Sequence, residues 1–282
     1  MQSAGEVAYP KLTIAMVSDV GCQRQVNEDF ALYESPPATS LQAARKGTLA
    51  LVADGLGGHV GGEIASQMAA EIIRHVYYAT NAEPKDSLRQ AFLEANRMIL
   101  ETAQRRPLLR GMGTTCTALA IRGDEAFAAH VGDTRLYLVR DGSIYQMTED
   151  DSEVRAYVRE GRMTRVAAEC HPEKNVLLKA LGMKPDLDPC LWPHPLRVCF
   201  GDRFLLTSDG LHDLVTDDEL RVLGRDAAPE DVCRRLTDLA NSRGGHDNIT
   251  VGVVCVSEAR AGRMDVVPPA VPRETREARV VS

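Results

Sequence analysis

Acidic residues recur in this sequence at the boundaries of short apolar runs, where buried strands are expected to begin or end. Three are aspartates beside three separate runs: Asp54 after 49–53, Asp209 after 204–208, and Asp247 just before 249–256. Glu28 and Asp29 precede another run, and Asp133 follows one more. A carboxylate at the edge of a buried sheet is costly unless a counter-charge neutralises it. Several carboxylates that converge at strand ends therefore predict a bound cation.

The types of ligand favour a hard divalent ion. Carboxylate oxygens suit Mg²⁺ or Mn²⁺, and the glycine after Asp54 allows the backbone carbonyl of Gly55 to approach an ion closely. Zinc is disfavoured, because the sequence has no HExxH motif and no paired cysteine or histidine spacing. A single Asp-Gly pair is more often a simple turn. Aspartates at three separate run boundaries favour the metal site over that alternative.

The glycine-rich segment 55–62 invites comparison with a phosphate-binding loop. Its spacing fails, because Val60 stands where GxGxxG counted from Gly55 needs glycine, and no GK[ST] motif exists. A metal-site loop that leads into a helix at Glu63 is the better interpretation. Within it, His59 is a candidate for a place near the reaction centre, whereas His130 lies in an apolar run that is typical of a core histidine.

Arg24 lies five residues before Asp29, just ahead of an apolar run. Its planar guanidinium could hold a phosphate through two parallel hydrogen bonds. A solvent-exposed surface charge is the simpler alternative for one arginine considered alone.

Short apolar runs separated by turn residues predict strands at 12–17, 30–33, 49–53, 115–121, 126–131, 136–139, 204–207 and 249–256. Apolar stripes with helical spacing predict helices at 63–79 and 87–104, and a third at 229–241 that opens with Pro229. The strands cluster in groups and do not alternate strictly with helices. This order predicts mostly antiparallel sheets in an α+β layer architecture.

The chain divides into an N-terminal arm (1–10), one folded domain (11–257) and a flexible C-terminal tail (258–282) that mixes charges with prolines. Residues 149–188, called the flap below, form an insertion with two short helical patterns at 153–160 and 164–169 and no strand of its own.

Composition excludes several classes of protein. The 282 residues are enough for a sizeable core, and 33 lysines and arginines against 40 acidic residues give a net charge of −7, which does not suit a nucleic-acid partner. No apolar stretch reaches the ~18 residues of a membrane span, and no signal peptide is visible. The seven cysteines lack CxxC spacing and lie mostly in apolar segments, which predicts buried, reduced thiols in a soluble, cytoplasmic protein.

Seven motifs, in order along residues 12–257, resemble the metal-dependent protein phosphatases of the protein phosphatase 2C type in their bacterial form. They are Ser18-Asp19-Val20-Gly21 with Arg24 and Asn27-Glu28-Asp29; Asp54-Gly55-Leu56-Gly57-Gly58-His59 with Gly62, Ala65 and Ser66; Gly113-Thr114-Thr115; Val131-Gly132-Asp133-Thr134-Arg135; Thr148 to Ser152; Ser208-Asp209-Gly210-Leu211; and Gly245 with Asp247-Asn248-Ile249-Thr250.

The resemblance implies a four-layer α-β-β-α sandwich, with two sheets inside, helices on both outer faces and the metal centre at one end. It also implies Mn²⁺- or Mg²⁺-dependent hydrolysis of phosphoserine and phosphothreonine in proteins. Such an enzyme would reverse the action of a Ser/Thr kinase in bacterial signalling. The chain would act as a monomer.

The same resemblance assigns a role to each candidate residue. Asp54 would bridge two metals, the Gly55 carbonyl would bind one, and Asp209 and Asp247 the other. Glu28 and Asp29 would hold metal-bound waters, Asp133 and Asp209 would hold a weaker third metal, and Arg24 would bind the substrate phosphate. Arg24, Asp54 and Asp209 are the catalytic candidates.

This chain departs from the family pattern at three positions. Leu56 stands where many eukaryotic relatives have the histidine proposed as general acid, Asp151 replaces the histidine of Thr-x-Asp-His-Ser, and His212 stands where a bulky residue such as tryptophan is frequent. None is a ligand position. Two rival hypotheses remain: a catalytically inactive phosphoprotein-binding module of the same fold, and a scaffold whose metal serves folding only.

Overall fold

The computed structural model describes residues 10–57, 61–225, 227–258, 276–277 and 279–281. Its strands are β1 (Pro10–Asp19), β2 (Phe30–Glu34), β3 (Thr48–Ala53), β4 (Gly55–Leu56), β5 (Gly113–Thr114), β6 (Cys116–Arg122), β7 (Glu125–Val131), β8 (Arg135–Arg140), β9 (Ser143–Gln146), β10 (Cys190–Leu191), β11 (Leu196–Arg197), β12 (Arg203–Thr207), β13 (Ile249–Glu258), β14 (Arg276–Glu277) and β15 (Arg279–Val281). Its helices are α1 (Leu41–Lys46), α2 (Gly61–Ala79), α3 (Pro84–Arg105), α4 (Glu153–Arg159), α5 (Arg165–Glu169), α6 (Asp209–His212), α7 (Asp217–Leu223) and α8 (Pro229–Ser242), with a 3₁₀ turn at Pro107–Leu109.

Two large sheets carry the fold. One has the strand order β15-β1-β13-β12-β8-β9, and the other has the order β10-β7-β6-β3-β2-β14, with β11 also paired to β7. Every pairing in them is antiparallel except that of β1 with β15. The predicted antiparallel sheets are confirmed.

Three apolar clusters fill the interfaces between the four layers of the fold. Strand β3 illustrates the arrangement: Leu49 and Leu51 face α2 and α3, whereas Ala50 and Val52 face the other sheet. The third cluster packs α6, α7 and α8 on the outer face of the first sheet. Because both faces of the central strands are buried, these strands are continuously apolar and do not alternate with polar residues. The α-β-β-α sandwich expected from the resemblance is confirmed.

The strand register gathers the acidic run boundaries at one end of the sandwich. Asp19 pairs with Ile249, Phe30 with Ala53, and Thr207 with both Val251 and Arg135. In an antiparallel pair the end of one strand lies beside the start of the next. The residues that flank these pairs therefore share one edge of the molecule: Asp29, Asp54, Asp133, Asp209 and Asp247.

All eight predicted strands and the five predicted helical segments are present, with ends shifted by a few residues. The sequence patterns did not predict α1, α6 or α7, and they missed the edge strands of two to four residues, which are too short to show a period of two. The predicted arm and tail lie largely outside the described residues. Within the tail, β14 pairs with β2, and β15 pairs with β1. Across the described residues, no helix is both long and apolar enough to cross a membrane.

The prediction of mostly buried cysteines is wrong. All seven are unpaired, but Cys22, Cys170, Cys190 and Cys199 are exposed, and only Cys116 and Cys233 are fully buried. The exposed thiols lie in loops or on a two-residue edge strand, where apolar sequence neighbours do not ensure coverage by a second layer.

Candidate metal centre

We refer to Glu28, Asp29, Asp54, Asp133, Asp209 and Asp247 as the acidic cluster. Asn248 ties two of its members together across more than 200 residues of sequence. The Asn248 side chain accepts a hydrogen bond from the Glu28 N–H (2.8 Å) and donates to the carbonyls of Val20 and Val26 (both 3.0 Å). This asparagine therefore fastens the loop between β1 and β2 against the start of β13, beside Asp247.

The Glu28 carbonyl joins that loop to the second sheet. It accepts hydrogen bonds from the Gly55 N–H (3.1 Å) and from Ser66 Oγ on α2 (2.6 Å). A Cβ at Gly55 would lie 2.5 Å from the same carbonyl oxygen, and a Cβ at Gly62 would lie 2.8 Å from the Glu28 carboxyl carbon. The close approach of these segments therefore requires glycine at both positions.

Two threonines hold the backbone of Asp54. Thr115 N–H and Thr114 Oγ1 both donate to the Asp54 carbonyl, at 2.9 and 2.7 Å, and the Asp54 N–H donates to Thr115 Oγ1 at 3.3 Å. These bonds give the Gly113-Thr114-Thr115 motif a structural role. It fixes the residue that links β3 to β4 and points the Asp54 side chain toward the other sheet's aspartates.

A chain of buried hydroxyl groups positions Asp29. Thr250 Oγ1 donates to Asp29 Oδ2 (2.7 Å) and also contacts Ser18 Oγ (2.8 Å), which accepts from the Asn27 side-chain amide (2.8 Å). The other oxygen, Asp29 Oδ1, is buried and makes no well-aligned hydrogen bond among the described residues, although the Ser208 side chain lies near enough to the carboxyl to lower its pKa. A buried carboxylate oxygen of this kind can accept a hydrogen bond from the solvent shell of a bound cation.

Electrostatic coupling within the cluster is strong. Burial raises the pKa of Asp29 to about 7, with Asp209 and Asp247 adding to the rise, and burial together with Asp247 raises the pKa of Asp209 to about 6. Asp54 is a close neighbour of Asp209. Burial and four neighbouring aspartates raise the pKa of Asp54 well above its usual range. A buried carboxyl with acidic neighbours favours its protonated form unless positive charge is supplied.

Asp133 lies on the turn between β7 and β8, and only 8% of it is exposed. Burial and the charge of Asp209 raise its pKa well above the ordinary value. The preceding residue, Gly132, has φ +104°, and a Cβ there would lie 2.5 Å from the Thr115 side chain. The turn therefore needs glycine to bring Asp133 to the cluster.

Arg24 reaches the cluster from the loop after β1. Its guanidinium donates to Asp247 Oδ2 at 2.7 Å, and half of the Arg24 side chain is exposed, against 24% of that of Asp247. This hydrogen bond and the nearby charges of Asp247, Glu28 and Asp209 raise the pKa of Arg24, although burial opposes the rise. The open side of the guanidinium is available to an anion from solvent.

The donor set fits hard divalent cations. Among the described residues, no three carboxylate, imidazole or thiol groups converge closely enough to hold an ion as they stand. The carboxylates repel one another, and the Arg24–Asp247 pair partly neutralises this repulsion. The buried oxygen of Asp29 and the four raised carboxyl pKa values (Asp29, Asp54, Asp133, Asp209) indicate a site that added positive charge would stabilise, and hard cations prefer such oxygen donors.

A cleft of about 580 Å³ opens beside Asp133 and Asp209, between the flap and the α6–α7 segment. The base of the flap is fixed by Asp150, which accepts three hydrogen bonds from Arg135 (2.7–3.2 Å). Burial acts to raise the pKa of Asp150, but the attraction of Arg135 outweighs it and the pKa is lowered.

Two of the three departures from the family pattern, Asp151 and His212, contact neighbouring residues in this structure. Asp151 accepts from the Gly132 N–H (3.2 Å) and pairs with Lys179 (3.3 Å), so it links both ends of the flap to the turn that carries Asp133. His212 lines the cleft and contacts Thr207 Oγ1 at 3.2 Å, and burial lowers its pKa well below the usual range.

The structure brings the candidate residues Arg24, Glu28, Asp29, Asp54, Gly55, Asp133, Asp209 and Asp247 to one end of the sandwich. His59 lies outside the described residues. Sequence reasoning assigned no role to Asn248, Thr114, Thr115, Thr250 or Asp150, although the motifs contained them. Their side chains position the site through hydrogen bonds to segments distant in sequence, and no local sequence pattern predicts such contacts.

Comparisons with known proteins agree with this geometry. The profile of a family described as Protein phosphatase 2C matches residues 26–243. Protein phosphatase PhpP of Streptococcus pneumoniae is 34% identical over 254 residues, covering 89% of this chain and all of the relative. Serine/threonine protein phosphatase PstP of Mycobacterium tuberculosis is 37% identical over 257 residues, covering 89% of this chain and 46% of that protein. The crystal structure of the catalytic domain of PstP in complex with two manganese ions superposes with a TM-score of 0.74 at 34% identity, covering 87% of this chain and 98% of that one.

Proposed function

Because the chain belongs to the protein phosphatase 2C family, we propose that it is a metal-dependent phosphatase that hydrolyses phosphoserine and phosphothreonine in proteins. The observation that carries the proposal is the acidic cluster, whose mutually repelling carboxylates lie beside an open cleft, with Arg24 paired to one of them, Asp247. A site built to bind two dications has this charge distribution in their absence.

Two Mn²⁺ or Mg²⁺ ions, when bound, supply hydroxide near neutral pH and neutralise a phosphoryl group during in-line displacement. Asp54 and the Gly55 carbonyl would hold them from the second sheet, and Asp209 and Asp247 from the first. Glu28 and Asp29 would accept hydrogen bonds from the surrounding solvent shell. Asp133 and Asp209, which repel each other at the cleft, would hold a weaker third ion.

Arg24 would bind the substrate phosphate. Its guanidinium is fixed on one side by Asp247 and open to solvent on the other, so it can donate to phosphoryl oxygens at the edge of the cluster. Donors positioned toward oxygens that gain charge in the transition state stabilise it more than the ground state.

The substrates that suit the site are phosphorylated proteins, the targets of a Ser/Thr kinase in bacterial signalling. The cleft is open rather than enclosed, and the flap (149–188) within the phosphatase domain (11–257) forms one wall of it. A protein segment can therefore lie across the cluster. We propose that the chain performs this role as a monomer.

The test uses Mn²⁺ and a small aryl phosphate, which needs no protein substrate. Asp209→Ala removes a carboxylate of the acidic cluster, and we expect turnover to fall by more than about 100-fold, since even residues behind the ligands of a metal site contribute 10–100-fold. Asp238→Ala, an exposed aspartate on α8, is the matched control and should retain activity. Equal hydrolysis by the two variants would reject the site.

The same assay separates the rival hypotheses. An inactive phosphoprotein-binding module would bind a phosphopeptide without Mn²⁺-dependent turnover in the unmodified protein. Every ligand position named above holds an oxygen donor, which favours the active enzyme.

A further inference from the structure

A second cavity of about 570 Å³ lies under the flap, between α4 and the strands β7 and β10. None of the six residues of the acidic cluster lines it. Its size is within the ~300–1,000 Å³ range of small-molecule sites. The walls combine an aromatic and a thioether side chain, Trp192 and Met147, with three arginines of the flap: Arg155, Arg159 and Arg165.

The floor of this sub-flap pocket holds an unsatisfied buried nitrogen. His130 lines the pocket and is only 2% exposed, and its Nε2 has no hydrogen-bond partner among the described residues. Its other nitrogen, Nδ1, contacts Thr117 Oγ1 at 2.8 Å, and the backbone groups of Gly132 and Glu149 lie near the ring without a well-aligned hydrogen bond to Nε2. A buried imidazole nitrogen without a partner costs free energy that a ligand would recover.

The hydroxyl network assigns the tautomer of this histidine. Thr117 Oγ1 donates its single proton to the Thr134 carbonyl (3.0 Å) and contacts Thr134 Oγ1 at 2.8 Å. All three contacts of Thr117 are satisfied together when His130 Nδ1 donates to Thr117 Oγ1. Nε2 then carries a lone pair and accepts a hydrogen bond from whatever fills the pocket.

The rim of the pocket is cationic. Glu149 and Asp150 are the lining carboxylates, and Asp150 is already held by Arg135, which lies outside the pocket. Arg159 contacts Glu149 at only 3.5 Å, with 61% of both side chains exposed. Arg165 has no ion pair or hydrogen bond from its side chain among the groups that the structure describes. One guanidinium at least is therefore available to an anion.

We propose that the sub-flap pocket binds a small organic acid that carries both an acidic group and a hydroxyl group on an apolar body. The acidic group would lie against Arg165 and Arg159, the apolar body against Trp192 and Met147, and the hydroxyl would donate to His130 Nε2. Such a ligand bridges the flap and the second sheet. Arg155 and Arg165 also line the catalytic cleft, so occupancy would restrict the flap that borders that cleft.

The single tryptophan of the chain provides a local probe. Trp192 Nε1–H donates to the Met147 carbonyl at 3.0 Å, and its one indole cross-peak in a ¹H–¹⁵N spectrum of the full chain with Mg²⁺ reports on the pocket. We expect 4-hydroxybenzoate to shift this peak saturably. 4-Hydroxybenzamide lacks the charge, and 4-methoxybenzoate lacks the hydroxyl proton, so each should bind at least about tenfold more weakly, or 1.4 kcal/mol.

Variants of exposed arginines test the site without disturbing the core. Arg159→Ala combined with Arg165→Ala should weaken 4-hydroxybenzoate binding at least tenfold, whereas Arg162→Ala, an exposed flap arginine paired with Glu160, should leave it unchanged. An indole peak that does not move, or equal affinity in the double variant and the control, would overturn the proposal.

A chemical readout gives an independent measurement. Cys190 is exposed and lines the pocket, whereas Cys199 is exposed outside it. Saturating 4-hydroxybenzoate should slow alkylation of Cys190 by iodoacetamide severalfold and leave Cys199 unaffected, as read by peptide mass spectrometry. Equal rates at Cys190 with and without the acid would contradict the site. Neither readout depends on phosphatase activity, so this proposal stands or fails separately from the proposed function.

Discussion

At the level of single residues, the carboxylates of the acidic cluster are held close together by the fold although burial and mutual repulsion disfavour their charged forms. Arg24 neutralises Asp247, and the raised pKa values of Asp54 and Asp209 favour protons on these carboxyls. The ion pair and these protons must give way when a cation binds, since a metal ligand is used in its deprotonated form. Arg24 therefore both competes with a cation for Asp247 and is the candidate for binding phosphate.

This double role gives Arg24→Ala two effects of opposite direction. We expect kcat/KM for an aryl phosphate to fall ~100-fold, comparable to the loss of one transition-state donor. The affinity for Mn²⁺ should rise, because Asp247 is released from its ion pair and a positive charge is removed from the site. Steady-state kinetics and calorimetric titration with Mn²⁺ measure the two effects.

Arg24→Lys is the matched control for charge. It keeps the positive charge without the planar fork, so its catalytic loss should be intermediate. Unchanged kinetics in Arg24→Ala would show that another group binds the phosphate.

At the scale of elements, glycines set how closely the segments around the cluster approach. Gly210 is the second residue of α6, and a Cβ there would lie 2.1 Å from the Asn248 carbonyl oxygen. Gly21, at φ +78°, would place a Cβ 2.1 Å from the Asp247 carbonyl oxygen. In both cases the added Cβ would meet a backbone atom, so no side-chain rotation could relieve the contact. The spacing between Asp209 and Asp247 is therefore set by residues that carry no chemistry.

Gly210→Ala should separate α6 from the start of β13. We expect a stability loss of about 1–3 kcal/mol from overpacking and, because Asp209 moves with α6, at least a tenfold loss of Mn²⁺ affinity. Denaturant unfolding and calorimetric titration measure these quantities. Gly123→Ala is the control: Gly123 has φ +59° with open space around it, so strain of about 1–2 kcal/mol is expected without an effect on Mn²⁺. Equal Mn²⁺ affinities in the two variants would contradict this account.

At the scale of the whole molecule, the apolar clusters that hold the four layers together contain none of the acidic residues. Each fully buried leucine or isoleucine in them contributes roughly 1.5–3 kcal/mol. The fold therefore has its own source of stability, whereas the acidic cluster is a local source of repulsion.

Removal of divalent ions with EDTA should abolish hydrolysis while circular dichroism and a cooperative melting transition persist. Activity should return when Mn²⁺ is added back. Loss of the fold together with activity would instead support the hypothesis that metal serves folding only.

The metal-free protein should also lose stability as pH rises. Asp29 titrates at about 7 in the folded state and Asp209 at about 6, against an ordinary value of 3.8, so between these values the folded state binds more protons than the unfolded chain. Stability then falls with increasing pH across roughly pH 4 to 7. We expect the Tm in EDTA to be several degrees lower at pH 8 than at pH 5.5.

Two controls bracket that measurement. Saturating Mn²⁺ at pH 8 should restore the Tm, because bound cations replace the protons. Asp29→Asn should reduce the pH dependence in EDTA without abolishing it, because the neutral amide does not titrate whereas Asp209 still does. A metal-free Tm that rises over this pH range would contradict the raised pKa values.

Sequence patterns predicted the strands, the long helices and the end of the sandwich at which the acidic residues meet. Apolar runs mark the strands, and in antiparallel sheets the run boundaries share an edge, so Asp54, Asp209 and Asp247 converge without knowledge of the side-chain contacts. The seven motifs then predicted the family, and the profile match to residues 26–243 confirmed it.

The partners of the charged groups are visible only in the three-dimensional structure. Nothing in the sequence indicates that Arg24 pairs with Asp247, that Asp150 is held by Arg135, or that His130 Nε2 makes no well-aligned hydrogen bond among the described residues. The same applies to the exposed cysteines and to the short helix that begins at Asp209. Hydrogen bonds and charge pairs depend on distances of a few ångströms between segments that can be more than two hundred residues apart, whereas periodicity records only which face of a segment is buried.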